Sequence, residues 1–200
     1  MTRHWPLLLI LLGYFLTGTL YAVYTPAWQA PDEPAHYNVI AQMADGRFPV
    51  MTPGDYDEAY KNAAVSSGFA PEYDVSLITY EDWQPPLYYL LLTPVFWLSG
   101  GSLPALRLFS LLLGAGVAAL AYVIGRTLWP DAVWPAATTA VFVAFVPQHL
   151  AIMASVNNDA LAELVIAALL LAALRYWQRP SPRLALALGA LQGLGYLTKG

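Results

Sequence analysis

Long apolar runs separated by short polar stretches dominate this chain, and one long polar segment interrupts them near the N-terminus. A helix that crosses a bilayer needs about 20 apolar residues. The long runs predict membrane spans over residues 5–25, 103–125, 133–151 and 161–177, and the beginning of a further span over residues 184–200. The pattern therefore predicts an all-α, multi-pass helical membrane protein whose first span is followed by a polar loop over residues 26–86.

A shorter apolar segment, residues 87–99, follows this loop and is bounded by Pro85-Pro86 and Gly100-Gly101. As a helix its 13 residues extend only about 20 Å, less than the roughly 30 Å of a hydrocarbon core. Two interpretations follow: a tilted span, or a re-entrant helix that leaves the membrane on the side where it entered.

The polar loop contains the signals of two short helices. Pro34 is typical of a first helical turn and Gly46 of a helix end. Apolar residues recur between them at helical spacing, which predicts an amphipathic helix on the membrane surface. A second helix is predicted to start near Asp55, with Asp57 and Glu58 in its first turn, where the helix dipole favours negative charge.

Composition supports the membrane class and excludes several others. The chain is 58% hydrophobic and 11% charged, whereas soluble domains are about 25% charged. It has no cysteine, which excludes disulfides and thiolate chemistry, and no basic or repetitive segment indicates nucleic-acid binding. Ten of its 13 acidic residues lie between Asp32 and Asp82, so the predicted loop is strongly acidic.

The arginines indicate the topology. Five of them flank the predicted spans: Arg3, Arg126, Arg175, Arg179 and Arg183. If residues 87–99 cross the membrane, four of the five lie outside, and Asp32 and Asp159 lie on opposite sides. If residues 87–99 do not cross, all five arginines are cytoplasmic, as the positive-inside rule favours, and both acids face the extracytoplasmic side. The arginines therefore favour the re-entrant interpretation.

Asp32 and Glu33 directly follow the first apolar run, and His36, one helical turn later, shares a face with both. One interpretation is structural: an acidic first turn that the helix dipole stabilises. The other is functional, because carboxylates at a water-filled site beside the membrane can act as a general base or hold a divalent cation.

A second polar cluster, Asn157-Asn158-Asp159, precedes another apolar run. Asp159 is predicted to be the N-cap of a helix that starts at Ala160. A helix N-terminus at a membrane face is also a site that favours anions. Glu163, one turn further on, is predicted to face either the same cavity or a neighbouring helix.

Residues 83–89, WQPPLYY, have the aromatic character of a segment at the membrane interface. Gln84 is in addition a candidate hydrogen-bond donor to a lipid head group. Lys199 is a candidate partner for a phosphate group.

Taken in order, the segments PDEPAHY, QPPLYYLL, RLFSLLLGAGVAALAYVIGRTLWP, SVNNDAL and LGYLTKG resemble the membrane-embedded glycosyltransferases of the GT-C fold. These are polyprenyl-phosphate-sugar-dependent enzymes, similar to protein O-mannosyltransferases and lipid A aminoarabinose transferases. The resemblance runs through nearly all of the chain, and it implies the same topology with a non-crossing helix after the first loop.

The resemblance implies transfer of a hexose or pentose from a polyprenyl-phosphate donor to a lipid, glycan or protein acceptor, at the extracytoplasmic face of the plasma (inner) membrane. It implies that Asp32 is the catalytic carboxylate that activates the acceptor, that Glu33 is its neighbour in an acidic pair, and that Asp159 is the second acid of the cavity. The substrate-binding candidates are His36, Tyr37, Gln84, Tyr88, Asn157, Asn158 and Lys199.

One motif departs from the family pattern. The aminoarabinose transferases have Glu-Lys-Pro-Pro where this chain has Trp83-Gln84-Pro85-Pro86, so Gln84 replaces the lysine that meets the donor phosphate. This argues against aminoarabinose transfer and leaves phosphate binding to residues such as Lys199. A divalent cation, held by a carboxylate against the donor phosphate, is the one cofactor that the sequence suggests. We expect the chain to supply the N-terminal, catalytic part of a longer membrane domain.

Two rival interpretations remain. In an ion- or proton-coupled transporter, intramembrane acids bind a cation or relay protons; the gathering of polar residues at one face and the lack of a visible inverted repeat argue against it. In a non-catalytic member of the GT-C fold, the carboxylates serve only as helix caps.

Overall fold

The computed structural model describes residues 4–199. The elements follow the order α1 (Trp5–Tyr24), α2 (Glu33–Ala44), α3 (Glu58–Ser66), a 3₁₀ turn (Val75–Leu77), α4 (Leu87–Ser99), α5 (Leu103–Leu128), α6 (Val133–Phe145), α7 (Pro147–Met153), α8 (Asp159–Gln178) and α9 (Pro182–Tyr196). No strand occurs within this range, and the predicted all-α membrane fold is confirmed.

Three helices, α1, α5 and α8, are long and apolar enough to cross a membrane, and α6 with α7 makes a fourth when the pair is taken as one broken span. The sequence predicted one continuous span over residues 133–151. The structure divides it into two helices that meet at 66°. Val146 has extended backbone angles and Pro147 opens α7, because a proline has no N–H to donate and pushes the preceding residue out of the helical region.

The core of the bundle lies around α5, which packs against α1, α6 and α8. Small residues bring these helices close together, as is common between membrane helices. The tightest approach is at Gly125 of α5, where an added Cβ would lie 2.6 Å from the Cα of Ala136 in α6. The buried Ala118 and Ala140 belong to the same core.

The two helices predicted in the acidic loop are present as α2 and α3. Pro34 lies in the first turn of α2, and Gly46 follows its end with a φ of +76°. Asp57 caps α3 by accepting a hydrogen bond from the backbone N of Tyr60. A small second core of Ala35, Ala64 and Ile78 joins α2, α3 and the returning chain.

The short helix α4 starts and ends at the same end of the bundle. At its start, the hydroxyl of Tyr88 accepts a hydrogen bond from the backbone N of Asn157, just before α8. Just after its end, the carbonyl of Gly101 accepts a hydrogen bond from the hydroxyl of Tyr37 in α2. The chain therefore does not reach the opposite end of the bundle through α4.

The two ends of the bundle differ in charge. One end holds Arg126 at the close of α5 and Arg175 and Arg179 at the close of α8, and the side chain of Gln178 donates to the carbonyl of Thr127 there. The other end holds the starts of α2, α4 and α8 and the segment after α9. Arg3, which the topology prediction also used, lies outside the described residues.

Candidate active site

The carboxylate of Glu33, at the start of α2, forms a buried ion pair with Arg107 of α5. Arg107 Nε and Nη2 donate to Glu33 Oε1 and Oε2 at 2.8 and 2.6 Å, and neither side chain is more than 2% exposed. The guanidinium also donates to the carbonyl oxygens of Ala22, Thr25 and Pro26 at the end of α1. Because a bidentate pair fixes orientation as well as position, α1, α2 and α5 are joined at one point.

The same carboxylate holds the second polar cluster. The backbone N of Val156 donates to Glu33 Oε1 at 3.1 Å, and that of Trp28 donates to Oε2 at 3.2 Å. Residues 157–159 follow Val156 directly. Glu33 therefore holds residues 157–159 next to the start of α2. Its own carboxylate is saturated with hydrogen-bond donors.

Asp32, the neighbour of Glu33, has the opposite environment. Its side chain is exposed and does not cap α2, and its φ of +59° is unusual for a residue other than glycine. Oδ1 accepts a hydrogen bond from the hydroxyl of Tyr80 at 2.6 Å. Oδ2 accepts none from residues 4–199, so one carboxylate oxygen is oriented and the other is open to a ligand.

Asp159 is the first residue of α8, and the prediction that it caps a helix starting at Ala160 is wrong. The side chain of Asn157 accepts the hydrogen bond of the Asp159 backbone N instead, at 2.9 Å. The Asp159 carboxylate is thereby free to pair with the ammonium group of Lys199. Both side chains of this pair are partly exposed.

Asn158 connects the segments around this pair. Its Nδ2 donates to Gln84 Oε1 at 3.0 Å and to the carbonyl of Thr198 at 3.2 Å. Its Oδ1 is buried and has no hydrogen-bond partner among the residues that the structure describes. Since buried polar atoms almost always have a partner, this oxygen is an unsatisfied acceptor behind the Asp159–Lys199 pair.

His36 lies beneath Asp32 and is buried. Its Nδ1 is 2.8 Å from the hydroxyl oxygen of Tyr89. Burial lowers the pKa of His36 to about 4, and the charges of Asp32, Lys199 and Asp159 act on it with opposing signs. His36 is therefore a neutral support of the site at physiological pH.

Glu81 is a third acid near the site, and its side chain is half-buried. The sequence analysis did not identify it as a site residue. Burial raises the pKa of Glu81 above its ordinary value, the carboxylates of Asp32 and Asp159 raise it further, and Gln84 and Lys199 act in the opposite direction. Gln84 Nε2 donates to Glu81 Oε2 at 2.7 Å. Asp32, Glu81, Asp159 and Lys199 thus share one electrostatic environment, here termed the charged cluster.

Other predicted site residues lie behind the charged cluster. Tyr37 packs against Trp28 and Phe96, with ring centroids 5.0 and 5.6 Å apart, and donates its hydroxyl to Gly101. Tyr88 is fully buried and shares a 2.7 Å hydrogen bond with Ser110. Both tyrosines therefore position the helices that carry the charged cluster.

Glu163 belongs to a neighbouring helix contact. Its Oε2 is 3.0 Å from His149 Nδ1 of α7. Of the two alternatives that the sequence left open for Glu163, the structure selects contact with a neighbouring helix.

Arg107, Tyr80 and Glu81 are site residues that the sequence argument did not identify. Arg107 had a signal, because a lone arginine within a long apolar run is costly unless it is paired. Tyr80 and Glu81 had none, since their approach to Asp32 depends on how residues 45–80 fold back on α2. Within residues 4–199, no group of three or more His, Cys, Asp or Glu side chains is arranged to hold a metal ion.

Comparison with known proteins gives one match. A family model described as dolichyl-phosphate-mannose-protein mannosyltransferase matches residues 83–200, which is more than half of the chain. The match includes Gln84, Asp159 and Lys199, while Asp32 and Glu33 precede it. No curated protein and no solved structure matches the chain.

Proposed function

The chain belongs to the dolichyl-phosphate-mannose-protein mannosyltransferase family and is a membrane glycosyltransferase of that type, and from this premise we propose that it transfers a sugar from a polyprenyl-phosphate donor to an acceptor at the charged cluster. The observation that carries the proposal is the exposed Asp32 carboxylate. One of its oxygens is oriented by Tyr80 and the other is open, and the charges of Asp32, Asp159 and Lys199 act together on Glu81.

Asp32 is the proposed general base. The acceptor oxygen attacks the anomeric carbon of the donor sugar while Asp32 takes its proton. The new carbon–oxygen bond forms as the bond from that carbon to the phosphate oxygen breaks, and polyprenyl phosphate leaves with the electron pair. A single displacement of this kind inverts the anomeric configuration. A positioned base typically contributes a factor of about 10²–10⁴ to the rate.

Lys199 is the proposed partner of the donor phosphate. Its ammonium group is held by Asp159 and its side chain is 42% exposed, so it can approach a phosphate without leaving its partner. An ammonium group aimed at a leaving phosphate stabilises the charge that develops there.

Glu33 is assigned a positioning role in this proposal. Its carboxylate accepts four hydrogen bonds, two of them from Arg107, and is fully buried. A saturated buried carboxylate holds the two segments of the site together and has no free oxygen for a substrate. Within residues 4–199 no three His, Cys, Asp or Glu side chains are grouped to hold a metal ion, and no step of the proposal is assigned to the divalent cation suggested by the sequence.

The same geometry supports a proposal for the side of the membrane. The charged cluster and the arginines Arg126, Arg175 and Arg179 lie at opposite ends of the bundle. On the positive-inside rule we propose that the charged cluster opens to the extracytoplasmic side, and that the membrane is the plasma (inner) membrane.

The proposal is tested by comparing purified wild-type protein with Asp32→Asn in phosphatidylcholine nanodiscs. The assay supplies polyprenyl-phosphate mannose with peptide, glycan or lipid acceptors, and it measures the released polyprenyl phosphate. We expect Asp32→Asn to lose at least 100-fold in transfer rate, the lower limit for a general base, because its side chain cannot accept the proton.

Asp45→Asn is the matched control, since Asp45 is an exposed loop acid that pairs only with the exposed Arg47. It should keep the wild-type rate, and both variants should keep the wild-type melting temperature. Transfer by a folded Asp32→Asn protein at the wild-type rate would refute the assignment. If the wild-type protein reconstituted in liposomes conducts ions and transfers no sugar, the result would support a transporter instead.

A further inference from the structure

A cavity of about 370 Å³ adjoins Asp32 on the loop side of the site. Three segments enclose it: the chain between α1 and α2, helix α3, and the stretch that returns through Ile78 and Tyr80. Its volume is within the range of small-molecule sites, about 300–1,000 Å³. None of the residues predicted from the sequence lines this cavity except Asp32.

The backbone around the cavity is strained at three points. Trp28, Asp32 and Phe69 have φ angles of 70°, 59° and 58°, and they are the non-glycine residues with positive φ in the described chain. All three line the cavity. Left-handed backbone is costly for bulky residues, and such residues are concentrated at functional sites.

The chemistry of the lining is that of a carbohydrate site. The aromatic rings of Trp28, Phe69 and Tyr80 offer apolar faces, and the amides of Gln29 and Asn62 offer both donors and acceptors. A pyranose ring has the complementary character, with apolar C–H faces and hydroxyl groups around its edge. The cavity therefore combines stacking surfaces with few directional polar groups, as ligand sites commonly do.

Lys61 adds a cation to this set. Its Nζ lies 5.1 and 5.2 Å from the ring centroids of Tyr56 and Tyr80, within cation–π range. Tyr80 in turn donates to Asp32 at 2.6 Å. Asp32 and Tyr80 both line the cavity, so a ligand in the cavity lies next to the proposed general base.

We propose that this cavity is the acceptor subsite and that it takes a pyranose ring, so that the acceptor of the reaction is a glycan hydroxyl. This proposal rests on the proposed function for the identity of the second substrate, but not for binding itself. The cavity is lined by α3 and the two loop segments, and its volume of about 370 Å³ suits a single ring better than a continuous polypeptide.

The experiment is saturation-transfer NMR on the full chain in phosphatidylcholine nanodiscs, prepared without glycoside detergents and without donor. The probes are methyl α-D-mannopyranoside, methyl β-D-glucopyranoside and N-acetyl-threonine amide. We expect saturation transfer to at least one glycoside, and a dissociation constant at least fivefold higher in Phe69→Leu and in Asn62→Ala. Val50→Ala, an exposed position of the same loop outside the cavity, should bind as the wild type does.

Equal binding of the glycosides by all four proteins overturns the proposal, as does the absence of saturation transfer to either glycoside. Transfer to the threonine amide alone, reduced in Phe69→Leu, assigns the cavity to a peptide and overturns it as well. Because no donor is present, the subsite can fail while the Asp32 assignment stands. Conversely, the binding measurement on the wild-type protein does not depend on whether Asp32→Asn loses turnover, so the two proposals can fail separately.

Discussion

Two adjacent carboxylates, Asp32 and Glu33, have different functions because their surroundings differ. Glu33 is enclosed by α1, α5 and the segment before α8, where Arg107 and two backbone N–H groups saturate it. Asp32 has left-handed backbone and an exposed side chain, which accepts one hydrogen bond within residues 4–199, from Tyr80. The buried acid maintains the site, and the exposed acid is available for chemistry.

Glu33→Gln should destabilise the protein strongly. The substitution removes the negative charge and leaves Arg107, which is 2% exposed, as an uncompensated buried cation. Breaking one side of a buried ion pair costs about 3–5 kcal/mol. Thermal unfolding in nanodiscs, followed by tryptophan fluorescence, should show a clearly lower melting temperature than wild type, with Asp45→Asn as the exposed control. Equal melting temperatures for Glu33→Gln and wild type would contradict the positioning role of Glu33.

His36 predicts a pH dependence of stability. The unfolded chain binds a proton at this histidine below about pH 6.5, whereas the folded protein binds it only below about pH 4. The unfolded state therefore holds more protons between these values, so the free energy of unfolding falls as the pH drops through this window. The contribution of His36 to the free energy of unfolding is constant above about pH 6.5. About 3 kcal/mol of it is lost once the pH has fallen below about 4.

The measurement is the melting temperature at pH 7, 6, 5 and 4. His36→Gln, which keeps a hydrogen-bonding side chain beside Tyr89, should reduce the loss over this range. His4→Gln, at an exposed position of the opposite end, should leave the loss as in the wild type. A loss of equal size in His36→Gln would show that other groups account for it.

At this scale the sequence indicated candidate polar residues, but not the surroundings that distinguish them. Asp32, Glu33 and Asp159 stood out because carboxylates beside apolar runs are unusual. Their different surroundings depend on distant partners. Glu33 pairs with Arg107, 74 residues away, and Asp159 pairs with Lys199, 40 residues away. Spacing along one helix carries no information about such partners.

Among the helices, the bounds of α4 and the presence of α1, α5 and α8 were predictable because apolar runs and proline or glycine punctuation are local signals. The break between α6 and α7 has a local signal too, Pro147, which the run of apolar residues concealed. The packing of α5 against α6 has no signal in the apolar pattern, since it depends on which small residues face each other.

Gly125→Ala should lower the melting temperature through that packing. The added Cβ would lie 2.6 Å from a backbone atom of Ala136, so α5 and α6 must move apart. Overpacking of this kind costs about 1–3 kcal/mol. Gly189→Ala in α9, where an added Cβ has nothing within 4 Å, is the matched control and should be neutral or slightly stabilising. Equal melting temperatures for the two variants would contradict the close approach of α5 and α6.

At the scale of the whole molecule, charge separates the two ends of the bundle. The charged cluster and the acidic loop lie at one end, and the arginines that close α5 and α8 lie at the other. The sequence predicted this arrangement through the positive-inside rule, which uses only the order of spans and charges. The cavity beside Asp32 was not predictable, because it is formed by loop segments whose contacts have no periodic pattern.

The central claim is that the two acidic segments share one site on the extracytoplasmic face, and the absence of cysteine allows a direct test. Single cysteines replace Ser76 in the acidic loop, Leu197 beside the start of α4, and Asp131 between α5 and α6, all exposed positions. They are treated on intact cells with a membrane-impermeant thiol reagent. Labelling at positions 76 and 197, with position 131 labelled only after the membrane is opened, is the predicted result. Labelling of position 197 only after opening, while position 76 labels on intact cells, would place Asp32 and Asp159 on opposite faces and contradict the shared site.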